Sequence, residues 1–365
     1  MGRMRMDRST VSKIFVESGQ RAALAVALAV VLGGCGAEPD SPEADQASAP
    51  PRGPAGNTAQ RAPGANPLAG RVLYVSPNSG AATQVASWES ERRTEDAKVL
   101  RRIGDRPMAH WVTGQVGSVG GDVDRVLGLA GARNETPVLV AYHIPDRDCG
   151  SYSAGGAASG DDYRTWIREF ASGIKGRSVT VILEPDAVPH ALEGCSGVAD
   201  VRLALLADAV EVVKTASPNA VVYLDAGHPN WVKDIPKLAG ALKRAGMARA
   251  DGFSLNVSNF IRTAENVSYG SQLSEALGGA HFVIDTSRNG AGPYPSAEVN
   301  GGPGWCNPPG RALGTAPTTE TGQPRVDAYL WIKRPGESDG ACRPGEPVAG
   351  QWWPEYALSL AKAST

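Results

Sequence analysis

The residue best placed for chemistry is Asp186, near the end of the segment SVTVILEPDAVP at positions 178–189. Four apolar, mostly β-branched residues and one threonine come before it, a pattern that predicts a short strand buried on both faces of a parallel sheet. Pro185 marks the end of this strand, because proline has no N–H to donate to a sheet. Parallel α/β folds bind ligands beyond the carboxyl ends of their strands, where Asp186 would serve as a catalytic carboxylate. The alternative is a loop aspartate or the N-cap of a following helix.

Carboxylates, amides and tryptophans recur directly after the other predicted strands, at the same end of each. Such a set suits a sugar, because the C–H faces of a pyranose stack on aromatic rings while its hydroxyls pair with amides and carboxylates. A glycosidic bond is cut by a carboxylic acid that works with a second carboxylate. No Ser-His-Asp order or nucleophile-elbow pattern stands out. For any one aspartate alone, a helix cap or a surface ion pair is the alternative. The recurring side chains are Tyr142, Asp148, Asp225, His228, Trp231, Asn259, Trp305, Lys333, Glu337 and Asp339.

Strand and helix signals alternate along this part of the chain. About eight strand–helix units over roughly 290 residues fit an α/β barrel with parallel strands. A doubly wound open sheet is the alternative, although no glycine-rich phosphate fingerprint follows the first strand. Strands are predicted at 71–75, 108–112, 136–143, 179–183, 220–224, 252–257, 281–285 and 327–332, and helices at 86–103, 122–132, 161–174 (with Asp161 as N-cap), 198–215, 236–245, 272–277 and 353–362.

The segment before the predicted catalytic domain (68–365) has two parts. Basic residues precede a short apolar run, Ala22–Leu32, which has the form of a signal-peptide core and is too short to span a bilayer. The run ends in Leu-Gly-Gly-Cys, which resembles a bacterial lipobox. We therefore expect a signal segment over 1–35 and an exported protein anchored to the outer face of the membrane by a lipid on Cys35. Ordinary secretion after cleavage is the alternative. Residues 36–67 are rich in Ala, Pro, Gly and Ser and are predicted to form a flexible tether.

Charge and cysteine content exclude some classes of function. The formal net charge is −2, and no basic stripe indicates a nucleic-acid partner. An even number of cysteines after the signal segment indicates disulfides in an exported chain, with more than one pairing open. The histidines show no metal-ligand spacing with them, so no metal site is predicted. These cysteines are Cys149, Cys195, Cys306 and Cys342.

Several segments together resemble glycoside hydrolase family 6, the endoglucanases and cellobiohydrolases that cleave β-1,4-glucan with inversion. Two of them, YHIPDRDCGSYSAGGA and VILEPDAVP, resemble the family's signature segments. The resemblance continues in order through LDAGHPNW, SLNVSNF, HFVIDTSRNG, WCNPPGRALG and WIKRPGESDG, from about Arg71 to the C-terminus. Val188 departs from the family, in which leucine or isoleucine is usual at this position. The resemblance implies a single catalytic domain with a distorted barrel of seven parallel strands, so that one predicted strand is peripheral.

The resemblance also implies roles for individual catalytic residues. Asp186 corresponds to the general acid, and Asp148 to the aspartate that raises the pKa of that acid. Tyr142 corresponds to a tyrosine that distorts the sugar at the cleavage point, and Ser153 to a serine in a mobile loop that handles the attacking water. Asp339 corresponds to the candidate base, which is the family's least settled assignment.

Substrate contacts and disulfide pairs follow from the same resemblance. We expect a monomer that binds β-1,4-glucan and needs no metal or cofactor. The implied substrate-binding residues are Asp225, His228, Trp231, Asn259, Trp305, Lys333 and Glu337, and the implied disulfides are Cys149–Cys195 and Cys306–Cys342.

The segment after Asp339 is short, which favours an open cleft and an endo-acting enzyme, because exo-acting members of the family carry longer insertions there. One alternative is an exo-acting cellobiohydrolase. A second is a non-catalytic, glucan-binding surface lipoprotein, against which the presence of Asp148, Asp186 and Asp339 speaks. A third is an enzyme that acts on another β-glucan or cell-wall polymer.

Overall fold

The structure, a computed structural model, describes residues 64–195 and 199–364. Within these residues the main sheet has seven parallel strands, and each strand pairs with the next one along the chain. Its strands are β1 (His110–Val112), β2 (Val138–Ala141), β3 (Val179–Leu183), β4 (Ala220–Asp225), β5 (Gly252–Leu255), β6 (His281–Asp285) and β9 (Val326–Leu330), while β7 (Glu298–Val299) and β8 (Gly302–Pro303) form a separate antiparallel hairpin.

Helices connect most of these strands, as parallel pairing requires. In the described part of the chain, none of the helices is long and apolar enough to cross a membrane. The helices are α1 (Gly80–Ser90), α2 (Thr94–Gly104), α3 (Val119–Gly131), α4 (Gly160–Ile174), α5 (Ala187–Glu193), α6 (Ala199–Ala216), α7 (Ile235–Arg244), α8 (Thr263–Ala276) and α9 (Pro354–Lys362), and Asp148–Gly150 forms a 3₁₀ turn.

The sheet curls into a half-barrel whose two edges approach each other at one end. Ala109, just before β1, donates its backbone N–H to the carbonyl of Trp331, just after β9, at 3.0 Å. The indole of Trp111 donates to the carbonyl of Ile332 at 2.8 Å. The strand order follows the chain without a reversal, which excludes the doubly wound alternative. The predicted α/β fold with a distorted barrel of parallel strands is confirmed.

Both faces of the sheet are buried, which explains the continuous apolar runs in the sequence. Val140, Ile182 and Leu330 belong to a cluster inside the curl of the sheet. Their neighbours in the strands, such as Leu139 and Val181, pack against the outer helices. The strands are therefore held from two sides, and their carboxyl ends form a rigid rim for the loops that follow.

The predicted strand at 71–75 is wrong. It is reduced to one parallel bridge between Leu73 and Thr136. Val72 is 63% exposed, so this apolar run is not buried along its whole length, unlike the strands of the sheet. The segment is the peripheral one among the predicted strands, and the seven-stranded sheet implied by the resemblance is confirmed.

The predicted helix at 86–103 is divided into α1 and α2. Arg92, between them, has a φ of 63°, which a continuous right-handed helix cannot contain. The sequence hides this break because Trp88 on α1 and Leu100 on α2 are buried in the same apolar cluster. Apolar spacing therefore continues through the turn.

Two further helix starts differ from the predictions. Ser159 caps α4 instead of Asp161, and its Oγ accepts from the backbone N–H of Asp162 at 3.1 Å. Asp161 lies in the first turn, where a negative charge suits the helix dipole. Helix α8 begins at Thr263, well before the predicted 272. Its first turns bury polar Asn266, which gives no apolar signal.

Both disulfides implied by the resemblance are present. Cys149 pairs with Cys195 at a Cα–Cα distance of 5.8 Å and ties the 3₁₀ turn to the end of α5. Cys306 pairs with Cys342 at 6.4 Å and joins two loops near Asp339.

The predicted N-terminal regions are only partly within the structure. The signal segment 1–35, with Cys35, lies outside the described residues, as does most of the predicted tether 36–67. Asn66 belongs to the folded part, because its Nδ2 donates to the carbonyl of Asp327 at 2.8 Å. Leu68, two residues later, is fully buried.

Substituting Gly270 in α8 by alanine should destabilise the protein. A Cβ at this position would overlap the ring of Phe282, which stacks on Phe253 at a centroid distance of 5.1 Å and has little room to move. We expect the free energy of unfolding to fall by about 1–3 kcal/mol. The matched control is Gly128→Ala in α3, where a Cβ meets no atom and helix propensity should raise stability by about 1 kcal/mol or less. Urea denaturation measures both, and equal stability of the two variants would contradict the prediction.

Candidate active site

A cleft of about 910 Å³ lies at the carboxyl ends of the strands. Loops that follow β1 to β6 and β9 contribute to its walls, the arrangement expected for ligand sites in parallel barrels. It brings together nearly all the site residues predicted from the sequence. Those that line it are Tyr142, Asp148, Ser153, Asp186, His228, Trp231, Asn259, Trp305, Lys333, Glu337 and Asp339.

Asp186 stands at the start of α5 without capping it. Its φ of 70° is left-handed and its side chain makes no cap hydrogen bond, so the helix-cap alternative fails. Its backbone N–H donates to Oδ2 of Asp225 at 2.9 Å. Burial, followed by the nearby charges of Asp225 and Asp148, raises the pKa of Asp186 well above its usual value. Both effects favour the protonated form of this carboxyl.

The prediction that Asp225 lines the cleft is wrong. This residue is only 1% exposed and lies beneath the cleft floor. Besides the N–H of Asp186, its carboxylate accepts from the hydroxyl of Ser254 at 3.0 Å and from the N–H of Gly227 at 3.3 Å. Burial raises the pKa of Asp225 to about 6, and the three donated hydrogen bonds oppose that rise. The donors therefore favour the ionised form of Asp225, whereas burial and two neighbouring carboxylates favour the protonated form of Asp186.

Asp148 lies in the 3₁₀ turn that follows β2. Burial raises its pKa, although the N–H of Ser153 donates to Oδ2 at 2.7 Å and opposes the rise. Arg147 holds the same loop, because its guanidinium donates to the carbonyls of Ser153 at 2.8 Å and Tyr142 at 2.9 Å. The loop is thus fixed to Tyr142, the residue that directly follows β2.

The pKa of Asp339 is lowered, whereas the pKa values of Asp186 and Asp148 are raised. Burial disfavours its charge, but Arg288 and Lys333 outweigh burial and hold the pKa below its usual value. Arg288 Nη1 lies 2.8 Å from Oδ2, and Lys333 Nζ lies 3.3 Å from Oδ1. Asn307 completes the setting, since its N–H donates to Oδ2 at 3.0 Å and its side-chain oxygen accepts from the N–H of Asp339 at 2.7 Å. Asp339 is therefore ionised.

Neutral polar and aromatic groups also line the cleft. Burial lowers the pKa of His228 to about 4, and its Nε2 lies 3.1 Å from the amide nitrogen of Asn259. The amide can only donate there, so Nε2 accepts and the neutral ring carries its proton on Nδ1. Tyr142 meets Trp111 edge to face at 5.1 Å, and Trp305 is 47% exposed. These surfaces suit the stacking and hydrogen bonding of sugars.

Several residues of the site were missed by sequence reasoning. Glu184 follows β3 directly, and its fully buried carboxylate accepts from the N–H groups of His143 and Ile144 at 2.9 and 3.0 Å. The EPD segment contains this residue, but the pattern gave no sign that it holds the neighbouring loop. His190 and Glu193 also line the cleft, and their spacing of four and seven residues from Asp186 was visible in the sequence.

Two groups of side chains in the described residues have the spacing of a metal site. One is Cys149, His190 and Cys195, and the other is Cys306, Cys342 and Glu346. In each group both cysteines form a disulfide, so neither offers a thiolate to a metal.

Comparison with known proteins gives the family. The profile described as Glycosyl hydrolases family 6 matches residues 68–364. This chain belongs to family 6 of the glycosyl hydrolases. The predicted family and the predicted class of enzyme are confirmed.

Two similar proteins are named as endoglucanases. Endoglucanase A of Cellulomonas fimi is 43% identical over 293 residues, which cover 80% of this chain and 61% of that protein. Endoglucanase 1 of Streptomyces halstedii is 42% identical over 297 residues, which cover 79% of this chain and 88% of that protein. This chain thus spans less than two thirds of the first relative and most of the second.

A solved family 6 structure has the same fold. The structure of the endoglucanase Cel6 from Mycobacterium tuberculosis, in complex with methyl-cellobiosyl-4-deoxy-4-thio-β-D-cellobioside, matches with a TM-score of 0.75 and 46% identity. The match covers 82% of this chain and 99% of that one.

Replacing Glu184 by glutamine should remove part of the pH dependence of stability. Burial raises the pKa of Glu184 to about 7, from 4.5 for the free side chain. Between these values the folded protein keeps a proton that the unfolded chain releases, so stability falls as the pH rises. The free energy of unfolding of the wild type should therefore fall more steeply than that of the variant, by up to about 1.4 kcal/mol per pH unit. Urea denaturation at several pH values measures the slopes. Asp186 and Asp225 titrate in both proteins, so parallel curves would contradict the prediction.

Proposed function

We propose that this family 6 protein hydrolyses β-1,4-glucosidic bonds within glucan chains, with inversion at the anomeric carbon. The observation that carries the proposal is one cleft lined by Asp186, whose pKa is raised, and Asp339, whose pKa is lowered. An inverting glycosidase needs one protonated and one ionised carboxyl at the same bond. The endoglucanase names of the relatives at 42–43% identity support the same activity.

Asp186 acts as the general acid in this proposal. Its proton passes to the glycosidic oxygen as the bond to the anomeric carbon breaks, and the leaving sugar departs as a neutral alcohol. Asp225 and Asp148 assist by keeping negative charge near Asp186, which holds the proton on it until the transition state. Tyr142 faces the same space, and its hydroxyl stays protonated because burial raises its pKa well above the usual value. We propose that it distorts the sugar at the cleavage point.

Asp339 acts as the base for the attacking water. Its charge is secured by Arg288 and Lys333, so it is available as an acceptor over a wide pH range. Oδ2 already accepts from Arg288 and from the N–H of Asn307, whereas Oδ1 meets Lys333 at the longer distance of 3.3 Å. We therefore assign the water to the Oδ1 side. Ser153, on the loop that faces it, assists in placing the water.

Substrate binding and endo action follow from the remaining walls of the cleft. The segment 340–350 is short and returns close to its start, because Ser338 N–H donates to the carbonyl of Gln351 at 2.9 Å. Such a segment leaves the cleft without the longer covering insertions of exo-acting members, which favours cleavage within a chain. The side chains proposed to bind the glucan are His228, Trp231, Asn259, Trp305, Lys333 and Glu337.

Replacing Asp186 by alanine should lower the turnover of carboxymethyl cellulose by about 10²- to 10⁴-fold, because no other protonated carboxyl is proposed for the leaving oxygen. A reducing-sugar assay measures the loss. The matched control is Asp161→Ala on α4, a side chain that is 94% exposed and should leave turnover unchanged. Proton NMR of the wild-type reaction should show the α-anomer first. Retained turnover in the Asp186 variant would reject the acid, and a first-formed β-anomer would reject inversion.

We also propose that the catalytic domain, 68–365, acts as a monomer outside the cell. It would be tethered through the part of 36–67 that precedes Asn66 to a lipid on Cys35, which follows a signal segment with a lipobox sequence. A short tether of this composition allows the domain to reach soluble chains near the cell surface.

Replacing Cys35 by serine should release the protein from the membrane fraction, because the thiol that accepts the lipid is lost. Fractionation of expressing bacterial cells followed by immunoblotting measures the distribution. Asp161→Ala, at a 94% exposed side chain of α4, leaves every cysteine in place and should fractionate as the wild type does. Equal membrane association of the wild type and the Cys35 variant would contradict the lipid anchor.

A further inference from the structure

One face of α5 connects the proposed acid to a tryptophan of the cleft. The helix starts directly after Asp186, and His190 and Glu193 follow at positions i+4 and i+7. Residues with this spacing share one face of a helix. All three side chains line the cleft, so this face of α5 forms part of its wall.

Trp231 packs on this face through two contacts. Its indole Nε1–H donates to Oε1 of Glu193 at 2.6 Å. The ring of His190 meets it edge to face at a centroid distance of 5.1 Å. The loop that carries Trp231 also approaches the helix closely, because a Cβ on Gly227 would lie 2.9 Å from Pro189. The loop after β4 and the helix after β3 are therefore packed as one unit.

The bond to Glu193 selects one orientation of the indole. The backbone of Trp231 is fixed by its N–H bond to the carbonyl of His228 at 2.9 Å, which leaves two side-chain torsions to be set. Ring contacts with His190 and His228 limit these torsions, but they are non-directional compared with a hydrogen bond to a carboxylate. Stacking on a pyranose requires the indole face to be presented flat to the sugar.

We propose that Glu193 is a positioning residue that fixes Trp231 as a stacking platform for a glucosyl unit of the substrate. The inference rests on the proposed function. Because Asp186 directly precedes α5 and Glu193 is the last residue of this short helix, the platform and the acid keep a constant separation. A sugar on Trp231 is thereby held in register with the bond that Asp186 protonates.

Substitutions of Glu193 and Trp231, made singly and together, distinguish this positioning role of Glu193 from two other roles. If Glu193 acts only through the indole N–H, replacing Trp231 by phenylalanine, which has a ring but no N–H, removes its influence. If Glu193 instead binds a sugar hydroxyl directly, its replacement weakens substrate binding in either background. If the bond is only a surface contact, its loss changes nothing. A double-mutant cycle distinguishes the three.

The experiment measures kcat and KM for soluble cello-oligosaccharides of increasing length with Glu193→Ala and Glu193→Gln. Loss of one hydrogen bond should raise the KM of the alanine variant about threefold to tenfold, with kcat within about twofold of the wild type. The effect should be confined to oligosaccharides long enough to reach Trp231. Glutamine keeps an acceptor oxygen, so its KM should stay close to that of the wild type. In the Trp231→Phe background, Glu193→Ala should cause no further change.

Glu275→Ala, an exposed carboxylate on α8, is the matched control and should behave as the wild type. An unchanged KM for Glu193→Ala would overturn the proposal. If Glu193→Ala raised KM by the same factor in the Trp231→Phe background as in the wild type, the proposal would be overturned in favour of a direct contact between Glu193 and the sugar. Inactive wild-type and Glu275→Ala proteins would instead reject the proposed function, so the two failures are distinguishable.

Discussion

The loops around the cleft depend on buried carboxylates that accept backbone N–H groups from neighbouring loops. Glu184, directly after β3, accepts from the loop after β2, and Asp225, the last residue of β4, accepts from the loop after β3. Asp285, the last residue of β6, accepts from the N–H groups of Ser258 and Lys333 at 3.0 and 2.9 Å, and so joins the loops after β5 and β9. A buried carboxylate without donors is strongly destabilising. The loops are therefore fixed in pairs when the sheet forms.

These bonds also explain unusual backbone conformations near the site. Glu184, Asp186, Asn256 and Ser258 have φ values between 48° and 70°, and each such residue costs on the order of 1 kcal/mol or more. At Asp186 and Ser258 the N–H bonds to the buried carboxylates of Asp225 and Asp285 offset that cost. At Asp186 the consequence is chemical. An ordinary N-cap has extended backbone and uses its side chain on the helix, whereas Asp186 donates its N–H to Asp225 and keeps its carboxyl for the cleft.

Local signals were enough to predict much of this arrangement from the sequence. The strand at 179–183 matches β3 because burial on both faces leaves an uninterrupted apolar run. The placement of Asp225 beneath the floor was not predicted. Asp225 ends β4, whereas Asp148 lies in a turn several residues beyond β2, and the packing of the loops buries the first and leaves the second in the cleft wall. Glu193 has a visible spacing from Asp186, but its contact with Trp231 depends on how two loops pack.

The pKa values of Asp186 and Asp339 are shifted in opposite directions because of where the positively charged side chains lie. Burial alone raises the pKa of any carboxyl, and around Asp186 it is reinforced by two other aspartates. Around Asp339 burial is outweighed by Arg288, from the loop after β6, and Lys333, from the loop after β9. Arg288 is itself fully buried, so it and Asp339 each stabilise the charge of the other. Without these cations burial would raise the pKa of Asp339 too, and both carboxyls would favour the protonated form. Because β6 and β9 lie at the far side of the curled sheet from β3, the cations reach Asp339 while the pKa of Asp186 stays raised.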